Sequence, residues 1–337
     1  MKPKVQEIAI RAGVSAATVS RFINSSGYVK NETRNTIEKC IKELENENLY
    51  VKSNSHQKHI TSKNIAIIIP DISNPLFIDI IQEIEEIAEA KGYTTIVINT
   101  NESEEREHRI LQNLESLNLI GIILTPVSDR TEYNLFYIKQ LEKLNIPVVL
   151  IDRDIKFSDF DGVFVDNKKG AFDATKKLLE LGKKNISIIT GPLTSKPGRE
   201  RLSGFKEAHE VLGIEMSKSN IFEGDFKIQS GYIHTRYILE NNIDTDALFI
   251  CNNMMIIGAL KAFDEYADLD KGNITLIGFD EIDPVYYNRK SISCISRPTK
   301  EMGRIAMDML DKRINSIENY SSQRVVLKPQ FTIENIK

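Results

Sequence analysis

From Lys63 onward the sequence alternates between short apolar runs and amphipathic stretches of helical period. That alternation restricts the fold sharply, because repeated βα units close only as parallel sheets covered by helices on both faces. Strands are expected at 64–70, 93–99, 120–126, 146–151, 161–165, 186–190, 247–251 and 274–278. Helices are expected at 75–91, 102–118, 131–144, 168–181, 198–212, 228–241 and 254–266. Asn64-Ile-Ala-Ile-Ile-Ile-Pro70 is apolar at consecutive positions, as a strand buried on both faces requires. The body, residues 64–337, is too long for one such sheet of ordinary size.

The amino end follows a different rule. Val5, Ile8 and Ala9 fall at i, i+3 and i+4 and share one helix face. Gly13 breaks that helix, since glycine accepts the positive φ of a tight turn. Ser15 is placed to cap a second helix through its hydroxyl. Val19, Phe22 and Ile23 give the second helix an apolar side, and Ala16, Ala17, Ser20, Arg21 and Asn24 its other side. Two short helices joined this way read as a helix-turn-helix, although periodicity alone would equally describe any two-helix corner. A third helix is expected from Asn31 to Glu47, with Ile37, Ile41 and Leu44 as its stripe. Residues 46–64 are polar and unpatterned and read as a linker. The division is thus a headpiece at 1–48, a linker or hinge at 49–63 and a core at 64–337.

Charge follows the same division. Of the 44 Lys and Arg and 48 Asp and Glu, residues 1–63 hold 11 and 6, so a basic amino end precedes an acidic body. That distribution suits a small nucleic-acid-binding module on a larger carrier. Met1-Lys-Pro-Lys4 is followed by no apolar stretch of signal-peptide length, and the longest apolar runs are strand-sized. A cytoplasmic protein without a membrane span is therefore expected. Cys40, Cys251 and Cys294 form no C-x-x-C and read as reduced thiols, with neither a disulfide frame nor a metal site. His56, His59, His108, His209 and His234 lie in the linker or on expected helices, without metal-ligand spacing in the core. No G-x-S-x-G, H-E-x-x-H, P-loop or G-x-G-x-x-G is present, so neither catalytic residues nor a cofactor are expected. The acidic run Glu102–Glu107 reads as a solvated helix start, favoured there by the helix dipole.

The string Ala12-Gly-Val-Ser-x-Ala-Thr-Val-Ser-Arg-x-x-Asn24, followed by Gly27-Tyr-Val29 and Glu32-Thr-Arg34, closely resembles the headpiece of the lactose/galactose repressor (LacI/GalR) family. The resemblance implies a homodimeric transcriptional repressor that binds double-stranded DNA. Helix 15–24 would lie in the major groove of one half-site of a near-palindromic operator. Ala16, Ala17 and Arg21 would face base edges, with Asn24 on the same side. Ser15, Thr18 and Ser20 would hold phosphates and fix register. Most members continue into a Pro-containing hinge helix whose Leu wedges into the minor groove. Here Leu49-Tyr-Val-Lys-Ser-Asn-Ser-His-Gln-Lys-His-Ile60 lacks the Pro, the Ala-Arg and the Leu, leaving Ile60 as the candidate wedge.

For the core the resemblance implies a periplasmic-binding-protein-like α/β fold of two doubly wound parallel-sheet subdomains. The first would take about 64–161 and 293–320, the second about 162–291 and 322–337. Ligands of open α/β sheets bind beyond the carboxyl ends of the strands. Asn74, Phe77, Asp152, Arg153, Arg201, Phe226, Asn252, Asp280 and Arg297 stand at or near such ends. Asp and Asn suit sugar hydroxyls, Arg can fork between two oxygens, and Phe can cover a ring face. Taken singly, an Asp or Asn at a strand end is more often a cap or turn former. Together the nine resemble the pocket of ribose-responsive members. A small sugar effector, ribose-like pentoses first, is therefore expected. Two positions depart from that group: Leu76 where a second Phe is common, and Arg297 where a Gln is common. Arg297 leaves open an acidic or phosphorylated sugar, or only a salt bridge at the crossover. A catabolite-type regulator with a phosphoprotein co-effector is the further alternative.

Overall fold

A computed structural model describes residues 5–23, 29–30, 32–40, 63–241, 243–270, 274–282, 292–316 and 321–332. The chain divides into two units, residues 1–62 and 63–337.

In the first unit, α1 (Val5–Arg11) and α2 (Ala16–Ile23) are followed by α3, helical through residues 32–40. Gly13 has φ +64°, the left-handed turn expected of it. The Ser15 Oγ accepts from the Thr18 amide at 3.2 Å, which caps α2. Ile8, Ala9, Val19 and Ile37 form the small core, joined by the partly buried Ala12, Val14 and Phe22. Arg34 lays its guanidinium 5.4 Å from the Phe22 ring centre and so ties α3 to α2. Two expectations fail: Val5 is 37% and Ile23 48% exposed, because the three-helix core is too small to cover the first residue of α1 and the last of α2. Asn24, Asn31, Ile41, Leu44, Ile60 and the 49–62 linker lie outside the described residues.

Among the described residues, the second unit contains two six-stranded sheets. The first orders its strands β11-β5-β4-β3-β1-β2: β1 (Asn64–Ile69), β2 (Thr94–Asn99), β3 (Leu119–Leu124), β4 (Val148–Ile151), β5 (Asp161–Val165) and β11 (Arg324–Leu327). All its pairings are parallel, with Ile67 of β1 opposite both Val97 and Ile123. The second orders its strands β12-β10-β9-β8-β6-β7: β6 (Ile186–Thr190), β7 (Ile221–Glu223), β8 (Ala247–Ile250), β9 (Thr275–Phe279), β10 (Ile292–Ser296) and β12 (Gln330–Thr332). Only β12 runs antiparallel there among the described pairings.

The helices follow the alternation: α4 (Pro75–Ala90), α5 (Glu104–Asn113), α6 (Thr131–Leu144), α7 (Asn167–Glu180), α8 (Lys196–Leu212), α9 (Ile228–Glu240), α10 (Asn253–Glu265), α11 (Ala267–Asp270) and α12 (Thr299–Asn315). Apolar clusters lie on both faces of the first sheet, one built on Ile65, Ile67 and Ile69, the other on Ala66 and Ile68. A consecutive apolar strand can serve both because its side chains alternate between faces.

Sheet membership moves each crossing between the halves by a few residues from the positions read in the sequence. Strand β5 pairs with β4, so the first crossing follows Val165 rather than Asp161. Strand β10 pairs with β9, so the second falls at Arg297–Pro298 rather than Ser291. Strand β11 pairs with β5, so the third falls at Lys328–Pro329 rather than Ser321. In each case the backbone pairing, rather than the composition, carries the strand a few residues past the expected boundary. Helix α12 returns to the first half and packs against α4.

Candidate functional site

All nine core residues singled out in the sequence line one cavity between the two sheets, together with Leu76, Glu102 and Pro197. They arrive there because strand ends of both sheets point toward it. Asn74 caps α4 just beyond β1, its Oδ1 accepting from the Leu76 amide at 3.0 Å, and Phe77 follows in the first turn. Asp152 and Arg153 follow β4, Asn252 follows β8, Asp280 follows β9 and Arg297 follows β10. Arg201 projects from α8, and Phe226 lies between β7 and α9.

The backbone is strained where these side chains turn inward. Glu102 (φ 53°), Asp152 (φ 65°), Phe226 (φ 66°) and Asp280 (φ 76°) adopt left-handed conformations, four of the eight non-glycine cases among the described residues. Such conformations are costly for residues with a Cβ and cluster where side-chain placement matters.

Three arginines and three carboxylates line the cavity wall. Arg153 binds Glu102 through Nη2–Oε1 at 2.6 Å and Nη1–Oε2 at 2.8 Å, and also donates to the Val127 carbonyl at 3.2 Å. Burial opposes its charge, but Glu102 and then Asp152 outweigh burial and raise its pKa. Arg297 donates Nε and Nη2 to Asp280 at 2.5 and 2.7 Å, and Nη1 to Asp152. Arg201 is held differently. Its Nε donates to Asn167 Oδ1 at 2.9 Å, its Nη1 to the Cys251 carbonyl at 2.5 Å, and it stacks 3.7 Å from the Phe279 ring centre. Without a carboxylate against it, burial and then the nearby Arg297 lower its pKa to about 10, so it stays charged at neutral pH. Phe226 faces Arg153 at 5.2 Å from the opposite half. Asn252 caps α10 and donates to the Phe226 carbonyl at 2.8 Å.

Glu102 is the functional candidate that the sequence reading missed. The run Glu102–Glu107 is not simply a solvated helix start. Glu102 lines the cavity, Glu104 pairs with Arg130, and Glu107 is fully buried with both carboxylate oxygens accepting from the Val127 amide at 3.1 and 3.2 Å. A strand end at Asn99 followed by a turn was the available signal, because Glu102 sits at the carboxyl edge of β2 as Asp152 does at β4.

Burial raises the Glu107 pKa well above its usual value, against the opposing Val127 amide and Arg153. Its folded-state pKa thus exceeds its unfolded one. The stabilisation is complete below the ordinary glutamate value and is lost as pH rises through the raised one. Glu107→Gln keeps an acceptor for Val127 but cannot ionise. It is expected to lessen the fall in melting temperature as pH rises above the ordinary glutamate range. An unchanged pH profile in thermal melts would show that Glu107 does not titrate in that range.

On the headpiece, Ser15, Ala16, Ala17 and Arg21 are exposed along one side of α2, and Thr18 and Ser20 are half-buried beside them. Ser15 and Thr18 share a hydroxyl hydrogen bond of 2.9 Å. The side opposite carries the buried Val19.

Comparison with known proteins agrees with both parts. Residues 4–46 match the model of bacterial regulatory proteins of the lacI family, and residues 65–317 that of the periplasmic binding protein domain. A ribose operon repressor from Halalkalibacterium halodurans is 34% identical over 92% of this chain and 90% of its own. The chain belongs to the LacI family of bacterial regulatory proteins. The family places it among DNA-binding transcriptional regulators, and the named relative is a repressor rather than an enzyme. Among solved structures, the regulator CelR in complex with cellobiose superposes with a TM-score of 0.70 at 24% identity, covering 98% of both chains. A LacI-family regulator from Enterococcus faecium with bound ribose gives 0.69 at 24% identity, covering 80% of this chain and 97% of that one. At that identity these two establish the fold of this LacI-family chain. Among the described residues, no helix is long and apolar enough to cross a membrane.

Proposed function

We propose that this chain is a homodimeric repressor of a near-palindromic operator, and that a neutral sugar, ribose-like pentoses first, binds between the two sheets and releases it from DNA. The observation that carries the sugar reading is the convergence of Asn74, Asp152, Arg201, Asn252 and Asp280 with Phe77 and Phe226 on one cavity. Hydroxyls of a pyranose or furanose need acceptors, forked donors and an apolar cover, and this wall supplies each. The ribose operon repressor among the relatives supports the same class.

The charge balance argues for a neutral ligand. Arg153 is already bound to Glu102 and Arg297 to Asp280 and Asp152, while Arg201 is engaged by Asn167 and the Cys251 carbonyl. A phosphate or carboxylate would have to share those partners with like charges. The response follows from differential affinity, since a sugar shifts operator binding only as far as it prefers one state of the core. On α2, Ala16, Ala17 and Arg21 would read bases while Ser15, Thr18 and Ser20 position the helix on phosphates.

Thermal melts of the purified protein against pentoses, hexoses, sugar acids and sugar phosphates test the reading. A ligand at about 100 times its Kd adds about 2.7 kcal/mol of stability, enough to raise the melting temperature by several degrees. Stabilisation by D-ribose or another neutral pentose is expected. Stabilisation by sugar phosphates or acids alone would overturn it.

A further inference from the structure

We infer that Arg297 is an internal occupant of the effector site, whose guanidinium holds the cleft closed until a ligand displaces it. The inference takes the ligand's class from the function proposed above, but the closure stands on its own geometry.

Three guanidinium nitrogens of Arg297 go to two carboxylates of different halves. Asp280 belongs to the end of β9 in the second sheet, and Asp152 to the end of β4 in the first. The Asp152 pair therefore spans the cleft. Both of its side chains are buried, at 3% and 4% exposure, so water does not compete for the bond. Among the described residues, the other charged ties across the same cleft are looser or nearer solvent. Arg199 of α8 binds Asp129 of the first half with its own side chain 35% exposed, and Lys196 reaches Asp154 only at 3.6 Å.

Asp152 and Asp280 are also the acceptors that sugar hydroxyls would use. With the guanidinium on both, the remaining cavity is about 20 Å³, room for a water or two. A pentose ring needs several times that space, so it enters only if Arg297 leaves Asp152 and the halves part. Arg297 is well placed to permit this. It lies at the second crossing, between β10 of the second sheet and α12 of the first half, with Pro298 next. Its Asp280 bonds stay within one half when the cleft opens, and only the Asp152 bond must break.

Amide exchange in the full-length protein, without sugar, tests the closure. The Asp129 amide donates across the cleft to the Thr194 carbonyl at 3.1 Å, whereas the Ile122 amide donates within the first half to Pro147. Arg297→Gln removes the guanidinium. Asp152→Asn is isosteric and, of the Arg297 contacts, weakens only the arm that crosses the cleft, while also removing the charge that faces Arg153 at 3.9 Å. Both variants are expected to speed exchange at Asp129 at least tenfold and to leave Ile122 protected. Arg297→Gln is also expected to bind D-ribose at least tenfold more tightly than the unaltered protein. If Arg297→Gln unfolds, so that Ile122 exchanges as well, Asp152→Asn decides the matter. Unchanged exchange at Asp129 overturns the closure. Faster exchange with no D-ribose binding by either protein supports the closure and removes the pentose reading instead. Faster exchange with weaker D-ribose binding by Arg297→Gln makes Arg297 a sugar contact and overturns its role as an occupant to be displaced.

Discussion

Replacing Arg153 by Leu is expected to destabilise the core by about 3–5 kcal/mol, the usual cost of stranding one member of a buried ion pair. The side chains of Arg153 and Glu102 are 6% and 9% exposed, and both carboxylate oxygens are engaged by the guanidinium. Without Arg153, Glu102 keeps its burial and loses its partner, and the Val127 carbonyl loses a donor. The Phe226 ring also loses the cation that links it to the first half. Most of the cost belongs to the stranded charge rather than to the pair's net attraction. The double variant Glu102→Gln/Arg153→Leu should therefore be more stable than Arg153→Leu alone. Urea unfolding of both single variants and the double one measures this through the coupling energy. Additive losses would mean that water reaches Glu102 and that the pair is not desolvated. The result bears on function because the same two residues wall the cavity. A wall that is rigid without a ligand is already organised to bind one.

The fold was legible because its signal is periodic. Each βα unit writes an apolar strand and a helical stripe over roughly twenty to thirty residues, so β1 through β9 stand close to their expected positions apart from the short β7. Strands β7, β11 and β12 escaped because three or four residues carry no period, and β10 and α12 were absorbed into a boundary. Boundaries between the halves shifted for a related reason. Composition marks where a strand ends, but only pairing shows which sheet it joins, as β5 illustrates by adding to β4. The cavity residues were legible because parallel sheets place ligands at strand ends, and Asp152, Asn252 and Asp280 occupy such ends. Glu102 was not, since one acidic residue in a run of acidic residues looks like any helix start. What Arg297 does was open between a ligand contact and a salt bridge, and its distances to Asp152 and Asp280 are what sequence cannot supply.

Gly258→Ala is expected to cost about 3 kcal/mol, at the upper end of ordinary overpacking, because the new methyl group meets backbone rather than a side chain that can turn away. A Cβ at Gly258 of α10 would lie 1.9 Å from the Ile228 carbonyl oxygen of α9, and one at Gly231 of α9 would lie 2.1 Å from the Met255 carbonyl oxygen of α10. The two helices thus cross through a reciprocal pair of glycines, and a methyl group on either forces the axes apart. Glycine in a helix interior ordinarily costs about 1 kcal/mol against alanine, so its presence at both crossing positions reflects contact rather than propensity. The crossing also registers the cavity. Asn252 caps α10 and reaches the Phe226 carbonyl just ahead of α9 at 2.8 Å, while Asn253 donates to Asn74 of the first half at 2.9 Å. Displacing α10 from α9 by even a fraction of an ångström stretches the first bond and tilts the second. Gly258→Ala should therefore weaken binding of the proposed sugar as well as lowering the unfolding midpoint. Lys261→Ala, on the exposed side of the same helix, should change stability by no more than about 0.5 kcal/mol and leave sugar binding alone. If Gly258→Ala behaved like Lys261→Ala, the helices would be free to separate, and the close crossing would not be what sets Phe226 against Asn252.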